Sequence, residues 1–131
     1  MPDIDIPELI TVLSSLIIVG IGGAVGAGTR FVAGKKMKIL PTTLPVGTLI
    51  INIVGTFLSG FFSVLVSGNI SLFLITGFCG GFTTFITFSS DTFVLIRMKR
   101  YAHAFFNVFV NVAGCLLGMN AGFIAAGYIV S

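Results

Sequence analysis

The chain has 131 residues; 56% are hydrophobic, 8% are charged, and the formal net charge is +3. Soluble domains carry about 25% charged residues, and so few charges cannot cover the surface of a small soluble protein. This excludes a disordered chain, a nucleic-acid-binding module and most soluble enzymes, and the basic balance marks where loops lie in an apolar chain.

The acids are Asp3, Asp5, Glu8 and Asp91; the bases are Arg30, Lys35, Lys36, Lys38, Arg97, Lys99 and Arg100. Between Glu8 and Arg30 lie 21 uncharged residues, between Lys38 and Asp91 lie 52, and none after Arg100 carries a formal charge. A bilayer core takes roughly 20 helical residues, so these gaps hold one, two and one spans. The long gap divides at the polar cluster Ser67-Gly68-Asn69-Ile70-Ser71, which reads as a turn. The predicted spans are about 9–31, 46–66, 72–96 and 104–129, within a single domain covering 1–131. The loop after the first span holds the lysines, Pro41 and Pro45. Spans in hydrocarbon must satisfy their own backbone, so they are read as helices, and the fold class is an all-α membrane protein. The first span has an acidic leading end and a long apolar run, unlike a cleaved signal peptide. Cys79 and Cys115 both fall inside helices, which argues against a disulfide, and no metal spacing is present.

The first helix carries Gly22 and Gly26, a GxxxG pair suited to close helix packing. On the second, Thr48, Asn52, Thr56 and, with slight drift, Ser59 and Ser63 share a face. An asparagine in a membrane helix needs a partner, so Asn52 is either interhelical glue or the lining of a wet path. The third helix contains Gly77-Phe78-Cys79-Gly80-Gly81-Phe82-Thr83-Thr84, whose glycines and threonines weaken a helix. Here the alternatives are a kinked packing helix and a break whose carbonyls face an ion. Phe85 and Phe88 share a face; they meet lipid or core, or turn their positive ring edges to an anion. On the fourth helix Asn107, Asn111 and Cys115 form a second polar stripe, and His103 reads as an interface residue. No nucleophile–base or paired-carboxylate arrangement supports an enzyme.

Gly22-Gly23-Ala24-Val25-Gly26 with Arg30, then Gly47-Thr48-Leu49-Ile50-Ile51-Asn52-Ile53-Val54-Gly55, then Gly77 through Ser89 together resemble the Fluc (CrcB-type) fluoride ion channel family, from about residue 18 onward. The resemblance implies an antiparallel dimer of four-helix subunits, with a broken third helix and two narrow fluoride pores at the subunit interface. It assigns the pore to Phe85, Phe88, Asn52, Thr87, Asn111 and Cys115; Thr84 joins them as a further hydroxyl donor that could replace an ion's water. It implies a structural sodium ion at the dimer interface, held by backbone carbonyls at Gly80 and Thr83, a structural role for Arg30, and no organic cofactor. Transport would be passive, exporting fluoride across the cell membrane to relieve toxicity, with the lipid bilayer, fluoride, sodium and a second antiparallel subunit as partners and no nucleic acid. Three departures stand out: Ile86 and Cys115 replace frequent serines, and Asp91 a frequent glutamate. The first two would weaken the polar track that replaces the ion's water.

Two further readings are a proton-coupled four-helix exporter, which needs a carboxylate that 9–29 lacks, and a non-conducting partner subunit. The charge pattern adds an expectation about assembly. All seven Lys and Arg flank the first and third helices' far ends, which by the positive-inside rule places both basic loops in the cytoplasm. A chain inserted one way calls for a reverse-biased companion; the alternative is a homodimer of two oppositely inserted copies.

Overall fold

The structure, a computed structural model, describes residues 3, 5–37 and 45–131. Lys38 and Pro41 of the expected first loop lie outside the described residues. Helix α1 spans Ile6–Met37 and α2 spans Val46–Leu65. The third span, Gly68–Arg97, is built in pieces. A single turn, α3 (Gly68–Ser71), leads into a π-helical stretch, Leu72–Cys79, and a second turn, α4 (Gly80–Phe82). Thr83 and Thr84 are extended, and α5 (Phe85–Arg97) follows them. Helix α6 spans Tyr101–Val130. The four spans are each long and apolar enough to cross a bilayer, and the chain is a multi-pass membrane protein.

The helices outrun the charge-delimited spans. Lys35 and Lys36 sit on α1 rather than beyond it, because basic side chains suit a helix C-terminus and their stems reach out of the apolar zone. The expected turn at 67–71 is shorter. The chain reverses at Val66–Gly68, with Gly68 at φ 65°, and Asn69–Ser71 are already helical.

Four up-and-down spans put all the described Lys and Arg residues toward one end of the bundle. Asp3, Asp5 and Glu8 lie at the other. Helix α1 packs on the first half of the third span, α2 packs along α6, and α5 leans on α6.

Few large apolar side chains are buried: among the described residues these are Ile51, Phe82 and Leu95. Backbones meet instead. A Cβ on Gly22 would sit 2.5 Å from the Phe73 carbonyl oxygen and 3.1 Å from Gly77 Cα. One on Gly26 would overlap the Phe78 carbonyl, and one on Gly81 the Gly23 carbonyl. Across the bundle, Gly118 faces the Ile53 carbonyl, and Gly122 and Gly60 face those of Phe57 and Met119. Apolar burial gives no net drive between helices in lipid, so small residues that let backbones touch supply the dispersion contacts.

This makes a paired prediction. Gly26→Val forces main chain apart and is expected to destabilise the fold by more than about 2 kcal/mol. Gly28→Val on the same helix meets nothing within 4 Å and is expected to leave stability unchanged. Thermal unfolding in detergent compares the two; equal losses would mean that α1 does not dock through Gly26.

Candidate functional site

The site grows from the break in the third span. In an unbroken helix the Thr84 N–H would bond the Gly80 carbonyl, and the Thr87 N–H the Thr83 carbonyl. Neither bond forms. Thr84 donates its N–H to Asn52 Oδ1 at 2.9 Å, and Thr87 donates its N–H to Thr84 Oγ1 at 3.2 Å. Thr84, extended at φ −141° and ψ 112°, is thus the N-cap of α5, a role suited to threonine because its hydroxyl accepts from the first turn. The released Thr83 carbonyl accepts from Arg30 Nη1 at 3.2 Å.

The break lies one turn later than the glycines suggest. Gly80 and Gly81 are helical and the extended pair is Thr83–Thr84. Gly77 and Gly81 serve the approach of α1 rather than the break. Gly80 is exposed, and beyond its own helix no atom of the described residues lies within 4 Å of a Cβ built on it.

A ladder of buried amides backs the break. Asn52 Nδ2 donates to the Thr84 carbonyl (3.4 Å) and to Asn111 Oδ1 (3.2 Å). Asn111 Nδ2 donates to the Asn107 carbonyl and to Asn107 Oδ1 at 3.0 and 3.1 Å. Asn107 Nδ2 donates to Thr92 Oγ1 at 3.0 Å. Asn52, Thr84, Asn107 and Asn111 are all buried. No buried side-chain nitrogen or oxygen among the described residues lacks a partner, as burial of polar groups in an apolar medium requires. Nearer the basic end, Thr48 Oγ1 donates to Asp91 Oδ2 at 2.9 Å and ties α2 to α5.

In front of this ladder lies an open groove of about 390 Å³, lined by Asn52, Thr56, Thr83, Thr84, Phe85, Phe88, Asn111, Val112, Cys115 and Leu116. Phe85 and Phe88 stand with ring centroids 5.8 Å apart, tilted by 51°, and Phe85 is 77% exposed. Thr87 is exposed and does not line the groove, and Ile86, 83% exposed, lies outside it too. Thr56, Val112 and Leu116 enter the lining without having been singled out as site residues. Thr56 shares the Asn52 stripe, but nothing in the periodicity of α6 marks Val112 or Leu116.

The groove also abuts the start of α5, where no α4 carbonyl accepts the N–H of Phe85 or Ile86. Such N–H groups carry the positive end of the helix dipole. An uncharged groove wall with aromatic edges, a thiol and a helix N-terminus suits a small anion better than a cation.

The family model for CrcB-like protein, Camphor Resistance (CrcB), matches residues 17–123. A protein of Methanococcus aeolicus named fluoride-specific ion channel FluC is 40% identical over 117 residues, covering 84% of this chain and 93% of its own. One of the same name from Pseudomonas putida is 41% identical over 125 residues, covering 91% and 98%. Another from Campylobacter lari is 39% identical over 118 residues, covering 86% and 97%. With a match that runs through all four spans and every residue of the groove, the chain belongs to the CrcB family.

Proposed function

We propose that the chain is a subunit of a passive fluoride channel that releases the ion across the membrane. The observation that carries this is the near-full-length similarity to proteins named as fluoride-specific ion channels, which takes in the groove from Asn52 to Leu116. The family is one of ion channels, not of enzymes.

Fluoride gives up strong hydrogen bonds to water on entering hydrocarbon, and each must be replaced or lost at a cost. Along the groove the replacements are graded and uncharged: the ring edges of Phe85 and Phe88, the Cys115 thiol, and the N–H groups that open α5. Weak sites in series allow an ion to enter and also to leave. In a single subunit the groove lies open on one side. A second subunit set against Phe85 and Ile86 would close it, which favours a dimer, taken here as the antiparallel one that the family resemblance implies.

Sodium at the break is part of the same proposal. The Gly80 and Thr83 carbonyls are hard oxygen donors of the kind an alkali ion takes, and the redirected N–H groups leave both without their helical partners. Arg30 already engages Thr83, so an ion there would share that oxygen with a guanidinium. One chain offers two such oxygens, fewer than an alkali ion needs, and the ion would supply positive charge between two copies of the break. Because nothing in the subunit crowds Gly80, intolerance of a side chain there would come from the partner.

The charge separation bears on which partner. Basic residues at one bundle end and Asp3, Asp5 and Glu8 at the other favour one fixed insertion in the cell, basic end inward, and there a reverse-biased homologue as the second subunit; reconstitution from detergent imposes no such bias, so two copies of this chain can pair antiparallel in liposomes.

Two experiments test this. Purified protein in liposomes is expected to release fluoride and retain chloride, and Phe85→Ile or Phe88→Ile to slow release at least roughly tenfold, a rise of about 1.4 kcal/mol in the barrier. Wild-type vesicles that hold their fluoride would refute the channel, and full release by either variant would remove that ring from the path. For orientation, cysteines added at positions 34–45 and at the C-terminus are labelled from each side when this chain is expressed alone. Positions 34–45 are expected inside only and the C-terminus outside only; comparable labelling on both faces would establish a dual-topology homodimer instead.

A further inference from the structure

Asn52 lines the groove, yet its carboxamide has nothing left to offer an ion. Its oxygen accepts the Thr84 N–H at 2.9 Å. Its nitrogen has two hydrogens, and both are engaged, one by the Thr84 carbonyl at 3.4 Å and the other by Asn111 Oδ1 at 3.2 Å. Asn111 is committed in the same way, with Nδ2 directed at the Asn107 carbonyl and Oδ1. An anion could claim either amide only by breaking a bond between groups that are 8% and 4% exposed. The group so abandoned would remain buried and unpaired, at a cost of about 1–3 kcal/mol.

The pairing at Thr84 has a recognisable form. A carboxamide carries the same N–H and C=O pair as a peptide, and here it meets both the N–H and the C=O of one extended residue. That is the exchange made by two opposed residues in an antiparallel sheet. A side chain of α2 thereby takes the place of a neighbouring strand and holds Thr84 at β dihedrals. With Thr84 held, its hydroxyl caps α5 through the Thr87 N–H, and the next residue is Phe85.

We therefore propose that Asn52 is a positioning residue: it acts on the permeating ion through the Thr84 peptide, by fixing the helix break and the aim of Phe85, and is not itself a ligand of the ion. This rests on the fluoride-channel reading. Asn111 and Asn107 extend the same hold to α6, so the ladder orients the groove wall.

The test deletes the partner instead of the side chain. Replacing threonine 84 by its α-hydroxy analogue turns the amide into an ester, which removes the N–H that Asn52 accepts and keeps every side chain. Fluoride release from liposomes is compared for the wild type, the ester, Asn52→Ala and the two combined. The ester and Asn52→Ala are each expected to slow release roughly tenfold, and the combination to be no slower than Asn52→Ala alone. Effects that multiply would overturn the proposal, since an ester acting through the weakened Thr83 carbonyl would persist without Asn52. An ester that releases fluoride at the wild-type rate would also overturn it, and that arm decides alone where Asn52→Ala does not assemble.

A second readout is independent of conduction. Hydrogen exchange of the Thr84 amide is expected to quicken roughly tenfold in Asn52→Ala, and unchanged exchange would refute the positioning role. Wild-type vesicles without fluoride release would refute the channel reading while leaving the exchange measurement to judge the clamp.

Discussion

Two backbone N–H groups that leave their helix govern the rest of this molecule. Thr84 gives its N–H to Asn52, and Thr87 gives its N–H to the Thr84 hydroxyl. A helix interrupted in hydrocarbon would strand several polar groups, each at a cost of several kcal/mol. Side-chain acceptors placed on α2 and within the third span itself remove part of that cost for the donors. They also free the Gly80 and Thr83 carbonyls, one of which Arg30 reaches from α1. The break is thus tied to α1, to α2 and, through Asn111, to α6.

Helix packing follows from the same constraint. Polar groups at the centre have to meet at hydrogen-bond distance, which requires backbones to approach closely. Glycines at Gly22, Gly26 and Gly81 allow it between α1 and the third span, and Gly60, Gly118 and Gly122 allow it between α2 and α6. The outcome is a bundle whose buried interior is largely amide, hydroxyl and glycine, while large apolar side chains such as Leu16, Phe105 and Leu117 face outward. Phe85 and Ile86 are also outward-facing, beside the groove. That is the face a second subunit would cover, and the proposed pore exists only when it does.

Much of the fold was legible in the sequence because charge is costly in a membrane: the gaps between Glu8, Arg30, Lys38, Asp91 and Arg100 delimit the spans. The ends were less so, since α1 continues past the charge-delimited span as far as Met37. Glycine and threonine are both weak helix formers, which drew attention to the whole stretch Gly77–Thr84; in the structure the interruption falls on the threonines, whose hydroxyls offer the backbone an alternative partner. The polar stripes on α2 and α6 were visible from spacing, but not that Asn52 meets Asn111 across 59 positions or that Thr48 meets Asp91. One sequence does not say which helix faces which. The direction of each amide was equally hidden, so Asn52 and Asn111 read as donors to an ion when their hydrogens are engaged within the protein. Thr87, assigned with them, lies on the exposed side of α5.

The account's central claim is that one chain holds a half-built pore and that two make a whole one. The most direct measurement is the size of the conducting unit, read from the fraction of vesicles that keep their fluoride as protein is diluted into lipid. That fraction is predicted to follow a Poisson law for a unit of two chains, twice the 13.8 kDa of one, with chloride retained throughout. A law for a unit of one chain, with fluoride still released, would contradict the account.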